Sequence, residues 1–178
     1  AQLTCYLFLP KVNPRTPMTE MAIQLGANVY EVGVDNEYIK NSVIGQVARE
    51  FAQNIQTSMF IELGLDDPIY IQYLAAAIQE AAQGLDPKVI WVAGGSAVIA
   101  RALAMAFPGV HLNIVQVGRK IYPEVLQGID HTIYVAQESF PTDTSIIPPY
   151  QSLANYDAKV WQFASEYGNT GDYIWNVK

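Results

Sequence analysis

Apolar positions in this chain fall into short blocks separated by turn residues, and the blocks alternate between two periods. Residues 3–9 (LTCYLFL) form a continuous apolar run closed by Pro10, the pattern of a buried strand. The loop KVNPRTP follows. Thr16 then offers a helix N-cap, Pro17 the first helical position and Glu20 a first-turn carboxylate. Met18, Met21, Ala22 and Leu25 repeat at helical spacing up to Gly26. Residues 28–32 (NVYEV) predict a second strand. Residues 37–53 predict a second helix whose apolar set is Tyr38, Ile39, Val43, Val47, Ala48 and Phe51. Residues 58–63 (SMFIEL) predict a third strand. Asp67 and Pro68 open a helix over 69–83, which Gly84 ends. Residues 88–93 (KVIWVA) predict a fourth strand that runs straight into Gly94-Gly95-Ser96, with a helix over 97–107. Residues 111–117 (HLNIVQV) and 131–136 (HTIYVA) predict two more strands.

This alternation, with short connections, predicts an α/β fold: a doubly wound, mainly parallel sheet with helices on both faces. The strands at 3–9, 28–32, 58–63, 88–93 and 111–117 are expected in one sheet. The pattern changes after residue 136. Residues 137–152 (QESFPTDTSIIPPYQS) are rich in Pro, Ser and Thr and predict a loop. Residues 153–167 read as an amphipathic helix and 172–177 as a last strand. The domain reading is therefore an α/β domain over 1–136, with 137–178 as a loop, helix and strand packed on it.

Composition narrows the function classes. Of 178 residues, 51% are hydrophobic and 15% charged, which is enough for one well-buried core, as one domain or two small lobes, and argues against a disordered chain. A net charge of −7 argues against a cationic nucleic-acid face and against a polybasic membrane anchor. No apolar run reaches membrane-spanning length, and the opening AQLTCYLFLP lacks the basic start of a secretory signal. A cytoplasmic location is the expectation. Cys5, the single cysteine, makes no internal disulfide, and its apolar surroundings predict an inert core thiol. His111 and His131 each begin a strand with no second His or Cys at ligand spacing, so no metal site is expected. Asp66-Asp67 reads as a turn and helix cap, and Arg101 as a solvated position more than one turn beyond Ser96. No Ser-His-Asp set can be named from spacing.

The strongest local signal is the strand, turn and helix at 88–107. Two glycines let a backbone approach a phosphate closely, and the N–H groups of a helix start point at it. Ser96 adds a hydroxyl. The pattern is neither a Walker loop nor G-x-G-x-x-G. It is equally that of a tight strand-to-helix turn. A second constellation is Pro148-Pro149-Tyr150-Gln151-Ser152 with Asn155, Tyr156, Asp157 and Lys159. Rigidly held polar and aromatic groups can bind a flat ligand, which makes Tyr150, Ser152, Asn155 and Asp157 candidate substrate-binding residues. The alternative is that this segment packs on the sheet, the role expected of Trp161 and Trp175.

Residues 3–32, with Pro10 closing a strand and Gly26-Ala27-Asn28-Val29 opening the next, resemble a segment of fold type II pyridoxal-phosphate enzymes. That group includes threonine synthase, cysteine synthase, serine dehydratase and aminocyclopropane-carboxylate deaminase. The likeness extends through Ala48, Glu50 and Ala52 to the strand, turn, helix and strand of 88–118. In that family the glycine-rich turn holds the cofactor phosphate. The resemblance thus implies pyridoxal phosphate on Gly94, Gly95, Ser96 and Ala97, and elimination or replacement on an amino acid or amine.

Two departures stand out. The turn is Gly-Gly-Ser-Ala rather than four glycines. The family's cofactor-bearing lysine, with its ring-holding Ser/Asn loop, precedes the strand that opens this sequence. The lysines present stand elsewhere, and Lys159, flanked by polar groups, is the candidate amine; its other role is a solvated cation on the last helix. The resemblance therefore implies a phosphate-ligand-binding domain incomplete as a lyase or transferase. It also implies a homo-oligomer or a partner segment carrying the lysine. A non-catalytic remnant or assembly module is the alternative. The C-terminal segment also resembles pyridoxal-phosphate-like proteins of phages and mobile elements, some linked to DNA-base hypermodification, which adds a nucleotide-binding transferase as a third reading.

Overall fold

The computed structural model describes residues 4–62 and 64–177, and the chain divides into two compact units at 63/64. The first unit holds β1 (Tyr6–Pro10), α1 (Pro17–Gln24), β2 (Asn28–Val32) and α2 (Asn41–Gln53). The strands β1 and β2 pair in parallel, from Tyr6 opposite Asn28 to Pro10 opposite Val32. Helix α1 starts as its sequence dictates: Thr16 Oγ1 accepts the Thr19 N–H at 3.2 Å and Pro17 takes the first position. Alternate residues of β1 share a face, so Tyr6 and Phe8 meet Tyr30 of β2 and Phe51 of α2, with ring centroids 5.0–6.3 Å apart. Arg15 grips Glu31 through two hydrogen bonds of 3.1 and 2.9 Å.

Three expectations for this unit change. Helix α2 begins at Asn41, not at 37. Residues 58–62 form no strand, and Met59 and Ile61 are exposed; residue 63 lies outside the described residues. Cys5 is exposed rather than buried, and the strand begins only at Tyr6.

The second unit holds α3 (Pro68–Ala81), β3 (Val89–Gly94), α4 (Val98–Ala106), β4 (His111–Gln116), β5 (His131–Val135), α5 (Trp161–Tyr167) and β6 (Tyr173–Trp175). Short 3-10 turns precede β5 (Pro123–Leu126) and α5 (Asp157–Val160). Its sheet runs β5-β4-β3-β6, with every neighbouring pair parallel. The expected single sheet is therefore two. The strand at 58–63 that was to continue the series does not form among its described residues, and β1 pairs only with β2.

The apolar runs of β3 and β4 are buried on both faces, as parallel strands require. Ile90, Val92, Leu112 and Ile114 face a core with Ile71, Ala75 and Ile78 of α3 and Val98 and Leu103 of α4. Trp91, Ala93, Val115 and Val117 face the other way, onto Val160, Phe163 and Ile174. This is a doubly wound α/β fold with helices on both faces of its sheet. Residues 137–177 complete its second face and supply its edge strand β6. The expected helix over 153–167 becomes a 3-10 turn from Asp157 and an α-helix from Trp161.

Candidate functional site

From β3 the chain moves outward to β4 and β5, then returns to place β6 on the opposite side of β3. The carboxyl end of β3 is thus the point where the strand order reverses, where open parallel sheets leave a crevice. Gly94, Gly95, Ser96 and Ala97 occupy it. A pocket of about 140 Å³ opens there, walled by Gly64, Leu65, Tyr70, Gly95–Ile99 and Tyr156. Pockets for drug-sized ligands run from roughly 300 Å³ upward, so this one suits a small group such as a phosphate.

The turn is built by close contacts. A Cβ on Gly94 would stand 2.7 Å from Ile114 Cγ2, so the strand end needs glycine to pack on β4. A Cβ on Gly95 would stand 3.2 Å from the Tyr156 hydroxyl. Ala97 takes a left-handed conformation, φ 63°, and begins α4 with no side-chain cap. Helix α3, by contrast, is capped by Asp67 Oδ1, which accepts from Ile69 N–H at 2.8 Å and Tyr70 N–H at 3.0 Å. The α4 start therefore presents backbone donors and a positive dipole end among the residues that wall the pocket. Ser96 Oγ reaches the Gly64 carbonyl at 3.5 Å.

The C-terminal candidates divide into three groups. Asp157, Tyr150 and Tyr156 form an electrostatic cluster. Burial lifts the Asp157 carboxyl to about 6, against a hydrogen bond from the Val177 backbone. Burial, then the Asp157 charge, raises the pKa of both tyrosines. The Tyr150 hydroxyl is buried with no hydrogen-bond partner, and its ring meets Trp161 edge-on. Ser152 instead donates to Asn176 Oδ1 at 2.7 Å. Asn155 is half-buried and, like Tyr150, Ser152 and Asp157, is not among the residues walling the pocket.

Lys159 forms the third group, and it is not a solvated cation. Its side chain is fully buried, and Nζ donates to the Ser139 carbonyl at 2.7 Å. Burial lowers its pKa, partly restored by Glu138 and Asp143. Around it Gln162 donates to Glu138 and to Thr144 Oγ1, and Ser145 donates to Glu138 through both N–H and Oγ. This network ties residues 138–145 down onto α5 and the 3-10 turn before it.

Tyr156, named in the C-terminal constellation but not among its candidate binding residues, does wall the pocket. Nothing local marks it, because the fold alone brings it to Gly95. Arg101 pairs with Asp66 at 2.5 Å, which leaves no free cation beside the turn among the described residues. At the opposite end of the sheet His111 bridges Asp130 (3.1 Å) and Thr132 (3.1 Å), a chain that spacing did not reveal. Among the described residues no cluster of His, Cys, Asp and Glu is placed to hold a metal ion, and no helix is long and apolar enough to cross a membrane.

No protein-family model matches the chain, and no curated protein matches it. Among solved structures it is similar to an ACC deaminase homologue, with a TM-score of 0.65 and 14% identity over 87% of this chain. The likeness shows a shared fold. The chain spans 59% of the length of that neighbour.

Proposed function

We propose that this chain is a phosphate-binding α/β domain in which the N–H groups of Ser96 and Ala97, at a turn kept small by Gly94 and Gly95, hold the phosphate of a small ligand, pyridoxal phosphate by resemblance. The observation that carries the proposal is the uncapped start of α4 among the walls of a small pocket at the switch point of the sheet. Two likenesses support the cofactor. The sequence resembles a group that includes aminocyclopropane-carboxylate deaminase, and the structural neighbour is an ACC deaminase homologue.

The residues present fit one end of that cofactor. The turn suits its phosphate in size and in donors. No lysine walls the pocket, and Lys159 is closed off beneath residues 138 and 139. Bound pyridoxal phosphate supplies an electron sink for bond-breaking beside an amine. The residues of this chain bind and orient it through its phosphate, while the ring and aldehyde need groups from another segment. On this reading the second unit acts as a binding domain, and elimination or replacement on an amino acid needs a lysine from outside that unit.

Calorimetric titration with inorganic phosphate, pyridoxal phosphate and a nucleoside monophosphate tests this. Pyridoxal phosphate should bind one per chain and be displaced by inorganic phosphate. Tighter binding of the nucleotide would favour the nucleotide-binding transferase. Absence of binding by all three would reduce the turn to a structural element.

A further inference from the structure

We infer that the Tyr156 hydroxyl is a direct ligand of the bound phosphate, the side-chain donor of a turn whose other donors are backbone N–H groups. The inference rests on the phosphate reading of the pocket and deepens it.

Three side chains with hydroxyls wall the pocket: Tyr70, Ser96 and Tyr156. Ser96 is aimed at the Gly64 carbonyl, and Tyr70 stands at the exposed start of α3. Tyr156 Oη lies 3.2 Å from the point where a Gly95 Cβ would sit, and so lies over the turn itself. Its position is held from three sides. Phe140 meets the ring edge-on at 5.9 Å, and Tyr156 N–H donates to the Leu153 carbonyl at 3.0 Å. The residues that follow, Asp157 to Val160, are buried.

The chemistry of the pocket gives this hydroxyl weight. A phosphate brings acceptor oxygens and negative charge, yet no charged side chain walls the pocket and Arg101 is engaged by Asp66. Neutral donors must carry the binding. An O–H given to an anionic oxygen is shorter and roughly twice as strong as a neutral bond. Burial, then the Asp157 charge, raises the pKa of the phenol against a hydrogen bond that its oxygen accepts from the Gly95 N–H, so the hydroxyl stays protonated and its own hydrogen remains to be donated. The small residue at 95 then has a second purpose beyond backbone approach, since any Cβ there would crowd this hydroxyl.

The test is calorimetric titration of inorganic phosphate into the parent chain, Tyr156→Phe and Gly95→Val, with far-ultraviolet spectra to show that each is folded. The expected result is parent binding, loss of binding in Gly95→Val, and a roughly 10- to 100-fold weaker affinity in Tyr156→Phe. Parent-level affinity in Tyr156→Phe, with loss in Gly95→Val, would overturn this inference and leave the phosphate reading intact. No binding by the parent would overturn both. A titration of parent protein carrying tyrosine labelled at Cζ gives a readout free of any folding defect. One tyrosine signal should move with phosphate, and a spectrum that stays still would also overturn the inference.

Discussion

Asp157 offers the sharpest energetic test, because a buried carboxyl with no cationic partner must cost stability once it ionises. It is 3% exposed, and burial raises its pKa from 3.8 to about 6. A rise of that size corresponds to about 3 kcal/mol against the charged form. The sign follows from proton binding. Between the two pKa values the folded chain keeps a proton that the unfolded chain has released, so stability falls as pH rises through this window. Below it the penalty is absent, and above it the penalty is complete. Asp157→Asn removes the charge at every pH and keeps an oxygen to accept the Val177 N–H. Its new amide, if left unpaired, costs about 1–3 kcal/mol, but equally at every pH. The readout is therefore the pH dependence rather than the absolute stability. All three tryptophans, Trp91, Trp161 and Trp175, lie in the second unit, so tryptophan fluorescence in urea reports that unit alone. From about pH 4 to about pH 8 the variant should gain about 3 kcal/mol relative to the parent. A difference that does not change with pH would refute the reasoning and show Asp157 to be better solvated or better paired than its burial implies.

The remaining predictions concern the turn and the segment beneath it. Treatment with pyridoxal phosphate and borohydride, followed by peptide mapping, should label exposed lysines such as Lys88 and spare Lys159, whose Nζ is buried on the Ser139 carbonyl; stoichiometric labelling of Lys159 would make it the amine after all. Gly64→Ala should destabilise the second unit in thermal melts by about 1–2 kcal/mol from its left-handed backbone alone. Gly64 has φ +84°, and a Cβ there would also lie 2.7 Å from Ser96 Oγ, so Ser96→Gly should restore only the steric part. Burial raises the Glu138 pKa, but hydrogen bonds from the Ser145 N–H, Gln162 and the Ser145 hydroxyl outweigh it and bring the group down to about 2. Its stabilisation is present above its ordinary pKa of 4.5 and is lost as pH falls toward 2, so Glu138→Gln should flatten that part of the acid-unfolding curve.

Local signals were enough for much of the second unit. Asp67 and Pro68 start α3 because a capping oxygen and a fixed φ act within one turn of chain. The unbroken apolar runs of β3 and β4 state that both faces are covered, and α4 follows Gly94-Gly95-Ser96 as the pattern requires. In the first unit β2 falls on residues 28–32, as its sequence reads. Parallel pairing also held within each unit, and what failed were particular expectations that hang on one distant partner. SMFIEL has the residues of a strand, but a strand exists only where another offers its hydrogen bonds, and residues 58–62 find none; Glu62 goes to Arg49 instead. Cys5 looked like core because apolar neighbours were taken for a covering layer. Lys159 looked solvated because its charge is visible in the sequence and the carbonyls of residues 138 and 139 that bury it are not. Tyr156 reaches Gly95 only because the return of β6 beside β3 folds residues 153–160 over the strand ends. Periodicity along the chain sets which atoms are near in one turn or one pleat. Which strands pair, and which side chains meet at the walls of the pocket, are set by contacts across the fold, which that periodicity does not encode.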